Sequence, residues 1–252
     1  NLDTKKSVAV NQLNRGFMGI GECILPNALR HCIKEVFFWG PEQPGSASSE
    51  LPLVGANNWP VFMPSLRADL EPYYQAVIKC GERLLRAIAL AFNLPRDFFQ
   101  SRYTSPLARG QLLHYPAPMN GLGEDGFGAS AHTDFGCITL LWQDDSGGLE
   151  IQSPCHGWIS AVPIRETFVV NIGDLLSFWT GGRLRSTVHR VRNCSGHSRF
   201  SMAIFYDPNS DALIDPRDMG CRSGEPPVYA GTYIQSRNRQ AFAHYLEVPD
   251  HE

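Results

Sequence analysis

Ala131-His132-Thr133-Asp134-Phe135 sets the terms on which the remaining residues of this chain are read. His132 and Asp134 are two apart, so on an extended strand both side chains leave the same face. An imidazole and a carboxylate that point together hold two adjacent positions on one metal ion. A third ligand is on offer in Ser186-Thr187-Val188-His189-Arg190-Val191. His132, Asp134 and His189 would then occupy one face of a metal and leave the other open to reactants. Taken alone, an unrelated His-x-Asp on a strand is the better reading. The surrounding sequence has to decide.

Downstream of Leu107 the texture is of short β-rich runs separated by turn residues. Strands are predicted near 111–115, 131–134, 137–143, 149–152, 158–162, 167–171, 175–178, 187–191 and 199–206. Asp144-Asp145-Ser146-Gly147-Gly148 and Asn193-Cys194-Ser195-Gly196 read as strong turns. Many short antiparallel strands at this spacing argue for a jelly roll or barrel. Upstream, 15–22 reads as a turn or edge strand, 34–40 as an aromatic run ended by glycine, and 41–64 as a long Pro/Gly/Ser-rich loop. Ser65 is placed to cap a helix running to about Phe92. Its predicted buried stripe is Leu66, Leu70, Tyr73, Val77, Gly81, Leu84, Ile88 and Phe92. Pro72 falls in its first turns, Asp97-Phe98-Phe99 begins a short continuation, and a closing helix is predicted over 232–246. No repeat or linker stands out. We expect one domain over 1–252, with a β core at about 108–208 and helical support at about 24–100 and 232–246.

The composition excludes several classes of function. Lys and Arg number 22 against 25 Asp and Glu, a net charge of −3, which gives no electrostatic reason for a nucleic-acid or anionic-membrane partner. No apolar run approaches a membrane span and no signal peptide opens the chain. The seven cysteines are widely spaced and lack a Cys-x-x-Cys pair, which suits free thiols in a reducing cytoplasm. The chain begins at Asn1 rather than Met, so a missing amino-terminal portion is expected.

If Ser195 centres a hairpin after His189, then His189 lies opposite about Ser201, and Arg199 shares the face of Ser201. The guanidinium and hydroxyl would grip a carboxylate, such as that of an acid cosubstrate. The alternative is that Arg199 pairs with a structural acid, Asp207 or Asp174. Geometry alone leaves both open.

His132-Thr-Asp134, Ser186-Thr-Val-His189-Arg-Val and Arg199-Phe-Ser201 resemble the His-x-Asp…His…Arg-x-Ser series of 2-oxoglutarate- and iron(II)-dependent dioxygenases, in their isopenicillin N synthase-like branch. Lys34-Glu35-x-Phe37, Asn58-Trp59-Pro60, Gln143-Asp144 with Gly147-Gly148-Leu149, and Asn171-Ile-Gly173-Asp174 extend the likeness over nearly the whole chain. The resemblance implies a double-stranded β-helix packed by outer helices. It also implies Fe(II) on His132, Asp134 and His189, with O2 at the open face. Arg199 and Ser201 would hold the distal carboxylate of 2-oxoglutarate, assisted by Tyr115. Many plant relatives have Asn two positions before that tyrosine, where this chain has Leu113. The reaction implied is oxidation of a small molecule by hydroxylation, desaturation or cyclisation. Two alternatives stay open: an Fe(II) oxidase of the same fold that uses no 2-oxoglutarate, and a catalytically silent ligand-binding β-helix protein.

Of the other histidines, only His114 is on a strand expected to pass near the site; packing or surface roles are expected for His31, His156, His197, His244 and His251. Arg183 and Arg185 read as an exposed turn. Phe135, Trp142, Phe178, Phe200 and Phe205 are expected mostly in the core, one or two of them walling the pocket. The glycine-rich stretch 119–128 lacks the ending of a phosphate cradle and is a candidate lid over the site.

Overall fold

In a computed structural model the described residues are 2–23, 32–42, 51–117, 127–193, 195–222 and 224–245. In chain order they form α1 (Leu2–Lys6), β1 (Gly16–Met18), β2 (Glu35–Trp39), α2 (Ser65–Ala91), β3 (Leu107–Tyr115), β4 (Ala129–His132), β5 (Ile138–Gln143) and β6 (Leu149–Ser153). There follow β7 (Gly157–Ser160), β8 (Val169–Ile172), α3 (Asp174–Trp179), β9 (His189–Val191), β10 (Arg199–Asp207), the short pair β11 (Leu213–Ile214) and β12 (Val228–Tyr229), and α4 (Ala230–Ala241). A six-stranded sheet in the order β1-β2-β3-β10-β5-β8 faces a four-stranded sheet in the order β4-β9-β6-β7, and every pairing in both is antiparallel. This is the expected jelly roll, a double-stranded β-helix with helices outside it.

Strand alternation decides which residues see the interior. Along β10, Arg199, Ser201, Ala203, Phe205 and Asp207 point between the sheets, and their register partners on β3 are Tyr115, Leu113, Gln111, Arg109 and Leu107. The same rows continue into β5 and β8, where Phe205 faces Thr139 and Thr139 faces Asn171. Val36, Phe38, Leu113, Ala203 and Val191 belong to the core between the sheets. A second and larger core lies on the outer face of the large sheet, where Ile204 and Tyr206 meet α2. Tyr74 of α2 donates from its hydroxyl to the carbonyl of Ala108 at 2.6 Å, fixing the helix across the strands.

Four expectations require correction. Ser65 does not cap α2; it is the first helical residue, and Pro64 stands before it with no side-chain capping bond. The buried stripe of that helix is Leu70, Tyr74, Val77, Gly81, Leu85 and Ala89, turned by about one position from the predicted face at several turns. The predicted strand at 175–178 is the helix α3. A four-residue apolar run cannot be told apart as strand or helix by period alone, and here tertiary bonds decide. The amides of Asp174 and Leu175 donate to the carbonyls of Asp134 and Gly136 at 2.8 and 3.0 Å, satisfying the helix start. Lastly, β9 and β10 do not form a hairpin. β9 pairs with β4 and β6 while β10 lies between β3 and β5, so the chain passes from one sheet to the other between Val191 and Arg199. The expected lid at 119–128 falls almost wholly outside the described residues, as does 43–50 of the long loop.

Candidate metal centre

His132 ends β4 and His189 begins β9, and the two are register partners across the small sheet. Their ring centroids are 4.4 Å apart. Asp134, just past β4, comes from the loop onto which α3 docks. One potential ligand atom from each of the three residues lies within 4.8 Å of the others, and His189 Nε2 is 3.7 Å from Asp134 Oδ1. Among the described residues no other three His, Cys, Asp or Glu side chains converge in this way.

Both imidazoles are held from behind. His132 Nδ1 bonds the carbonyl of Ser130 at 2.7 Å, and His189 Nδ1 bonds that of Thr187 at 3.1 Å. A carbonyl only accepts, so these bonds assign the proton to Nδ1 and turn the Nε2 lone pairs toward the shared space. Asn171 Nδ2 donates to Asp134 Oδ2 at 3.2 Å, and the Thr139 hydroxyl also bonds this carboxylate. Burial pushes His132 down to about 3, and the neighbouring His189 adds to that shift, so the ring is a neutral donor at pH 7. Burial alone would raise Asp134, but His189 and His132 beside it, together with the hydrogen bonds from Thr139 and Asn171, hold the carboxyl below its ordinary value. Two imidazole nitrogens and one carboxylate oxygen on one face are the donor set that suits a divalent iron ion.

One cavity between the sheets is lined by His132, Asp134 and His189 and also by Arg199, Ser201 and Tyr115. Arg199 is 1 % exposed. Its guanidinium donates to Gly147 O at 2.8 Å, Gln143 Oε1 at 3.0 Å and Ser201 Oγ at 3.1 Å, and it lies 4.9 Å from the Tyr115 ring centre. The turn after Gln143 thus serves to hold this arginine. Neither structural acid weighed from the sequence takes it, because Asp207 pairs with Arg109 at 2.7 Å and Asp174 with Arg237 at 3.0 Å.

His114 turns away from the site to the outer face, where it contacts Glu35 and Ser198 at 3.2 Å and stacks on Phe200. Trp142 and Phe200 line a cavity on that outer face as well, whereas Phe135 and Phe205 line a cleft at the metal group. Arg183 donates to Met219 O at 2.6 Å and stacks on Phe92, a structural role. His156 and His197 are exposed, His244 packs on Asn14, and His31 and His251 lie outside the described residues. Sequence reasoning assigned nothing to Asn14, Lys34, Arg109, Gln111 and Asn238, which all line that cleft beside His132 and Asp134. Lys34 and Asn171 stand inside quoted motifs, the only signal they gave.

A double-stranded β-helix carrying a two-His-one-carboxylate group defines a class of mononuclear non-haem iron proteins. The model of the 2OG-Fe(II) oxygenase superfamily matches residues 108–208. A homoarginine-6-hydroxylase of Oryza sativa is 35% identical over 232 residues, covering 88% of this chain and 70% of that protein. A Dictyostelium discoideum protein described as a probable iron/ascorbate oxidoreductase is 40% identical over 184 residues, and the match covers 64% of this chain and half the length of that relative. A full-length Neurospora crassa protein crystallised with α-ketoglutarate and thymine superposes with a TM-score of 0.82 at 27% identity, over 94% of this chain and 78% of that one. The chain belongs to the 2OG-Fe(II) oxygenase superfamily. No helix among the described residues is long and apolar enough to cross a membrane.

Proposed function

We propose that this protein is a dioxygenase in which His132, Asp134 and His189 bind Fe(II), Arg199 and Ser201 hold the distal carboxylate of 2-oxoglutarate, and Tyr115 packs beside them. The observation that carries the reading is the buried Arg199 guanidinium, whose hydrogen-bond partners are all neutral, opening into the cavity that contains the three ligand residues. A buried cation without an acid demands an anion from outside the chain. This favours a 2-oxoglutarate enzyme over an oxidase that uses no diacid.

When bound, Fe(II) and 2-oxoglutarate supply O2 activation: the oxoacid leaves as succinate and CO2, one oxygen atom enters succinate and the other serves to oxidise the substrate. The residues of this chain prepare that step. Asn171 and Thr139 orient Asp134, the two backbone carbonyls orient the imidazoles, and the fork of Arg199 sets the direction in which the diacid lies. Phe135 and Phe205 line the neighbouring cleft, where an apolar wall limits water at the reacting carbon. The cleft borders His132 and Asp134, which is where a small-molecule substrate would lie. Homoarginine, for which the Oryza sativa relative is named, and thymine, bound in the Neurospora crassa crystal, are molecules of that kind. The net charge of −3 supports neither a nucleic-acid nor a membrane partner, and the Cys32 thiol donating to Cys23 Sγ at 3.4 Å suits a reducing cytoplasm.

Variants at two positions test this reading by binding. His189→Ala is expected to abolish tight Fe(II) binding, read as metal per protein after desalting without oxygen; retention of one iron per chain refutes the ligand set. Arg199→Leu deletes one partner of a charge-assisted pair, a loss of about 2–5 kcal/mol. The 2-oxoglutarate Kd is expected to rise at least tenfold, and Arg199→Lys to recover only part of it, having no fork. An unchanged Kd in Arg199→Leu would return the balance to the diacid-independent oxidase.

A further inference from the structure

Two cavities meet at the metal group, and Lys34 lines both. It is 7 % exposed, and no described residue offers its ammonium a hydrogen bond or an ion pair. The chain enters β2 one residue later, so Lys34 continues the inward-facing series of Val36 and Phe38. The position is therefore set by the sheet and not by a loose surface stem.

The other charges around the two cavities are accounted for, given the function proposed above, on which this inference rests. Arg109 is answered by Asp207. A divalent iron, the Asp134 carboxylate, a dianionic 2-oxoglutarate and Arg199 together sum to zero. The Lys34 charge is what remains, and a buried ammonium left without an anion is costly. Beyond it the cleft offers hydrogen-bond donors and aromatic surface: the buried Arg109 Nε–H has no acceptor, and Phe38, Phe135, Phe205 and Phe242 form the walls.

We infer that the prime substrate is a small carboxylic acid with an apolar or aromatic body, its carboxylate taken by Lys34 at the junction of the two cavities. The acid group then lies close to the metal, which places the oxidised carbon within a few bonds of the carboxylate. Arg109, tied through one nitrogen to Asp207 and stacked 5.7 Å from the Phe205 ring centre, borders the cleft that takes the body of the substrate.

The test is calorimetric binding of phenylacetate and 3-phenylpropionate against their uncharged amides, to protein loaded with Fe(II) and 2-oxoglutarate without oxygen and to the metal-free protein. Each acid is expected to bind at least tenfold more tightly than its amide. Lys34→Met should level the acid and the amide, and Lys34→Arg should keep most of the preference while showing that a cation at this position folds. Acids no tighter than amides in the wild type, or an acid preference that survives in Lys34→Met, overturn the inference. A tenfold loss of 2-oxoglutarate affinity in Lys34→Met also overturns it, because Lys34 would then serve the carboxylate of the cosubstrate. Failure of wild type to bind iron or 2-oxoglutarate would instead sink the proposed function, while the acid-over-amide comparison is still read on the metal-free protein.

Discussion

Charges buried between these sheets are settled residue by residue. Asp207 is fully buried, accepts from Arg109 Nη2 and the Cys137 amide at 2.7 Å each, and has its carboxyl raised by burial against the pull of that arginine. Asp207→Asn leaves Arg109 as an uncompensated buried cation, so a loss of about 3–5 kcal/mol in urea unfolding is expected; a loss under 1 kcal/mol would mean that the pair is dispensable. His244 gives the pH counterpart. Burial pushes its imidazole down from 6.5 to about 4, so it is neutral when folded, while the unfolded chain takes up a proton near 6.5. The unfolded state binds more protons throughout the window from about 6.5 down to about 4, and stability is lost as pH falls through it. Removing the titration in His244→Gln should flatten the unfolding free energy across that window by up to one proton; an unchanged slope assigns the effect elsewhere. At this scale the sequence was legible where chemistry repeats at short spacing, as in His132-x-Asp134 and Arg199-x-Ser201. It was silent on Arg109, Asn14 and Asn238, because these converge from three distant elements and carry no local pattern.

Elements take their places through close approaches that composition alone does not announce. Gly81 stands mid-helix in α2, where a methyl group would come 2.6 Å from Cδ1 of Tyr206 on β10. Tyr206 is itself buried against Tyr103 and cannot give way freely. Gly→Ala in an open helix gains about 1 kcal/mol, whereas overpacking costs about 1–3 kcal/mol. Gly81→Ala is therefore expected to lower the urea midpoint, and a raised midpoint would show that α2 rides looser on the sheet. The helix was readable from its period, but its face was misjudged because Leu66, Leu84 and Ile88 are as apolar as the residues that are buried. α3 was misread as a strand for a related reason: Leu175 to Phe178 carry no period, and the carbonyls of Asp134 and Gly136 that complete the helix start lie about forty residues away in sequence.

The whole molecule places the proposed ligands and the proposed cosubstrate anchor on opposite sheets: His132 and His189 on the small one, Arg199 and Ser201 on the large one. The hairpin expected between β9 and β10 would have put His189 beside Ser201 in one sheet; the crossover instead lets the two groups face each other across the interior. The three ligand residues converge only in the folded chain, so a metal that binds them stabilises the fold by mass action. Anaerobic Fe(II) is accordingly expected to raise the Tm of wild type and to leave that of His189→Ala unmoved. The central claim, that this barrel joins Fe(II) to 2-oxoglutarate, is tested most directly without any knowledge of the substrate. Protein, Fe(II), O2 and 2-oxoglutarate are incubated alone and succinate is measured against the 2-oxoglutarate consumed. Slow formation of succinate in equal amount, lost in His189→Ala and reduced in Arg199→Leu, is the predicted result. An iron-loaded wild type that consumes no 2-oxoglutarate, or forms succinate equally in both variants, would contradict the account.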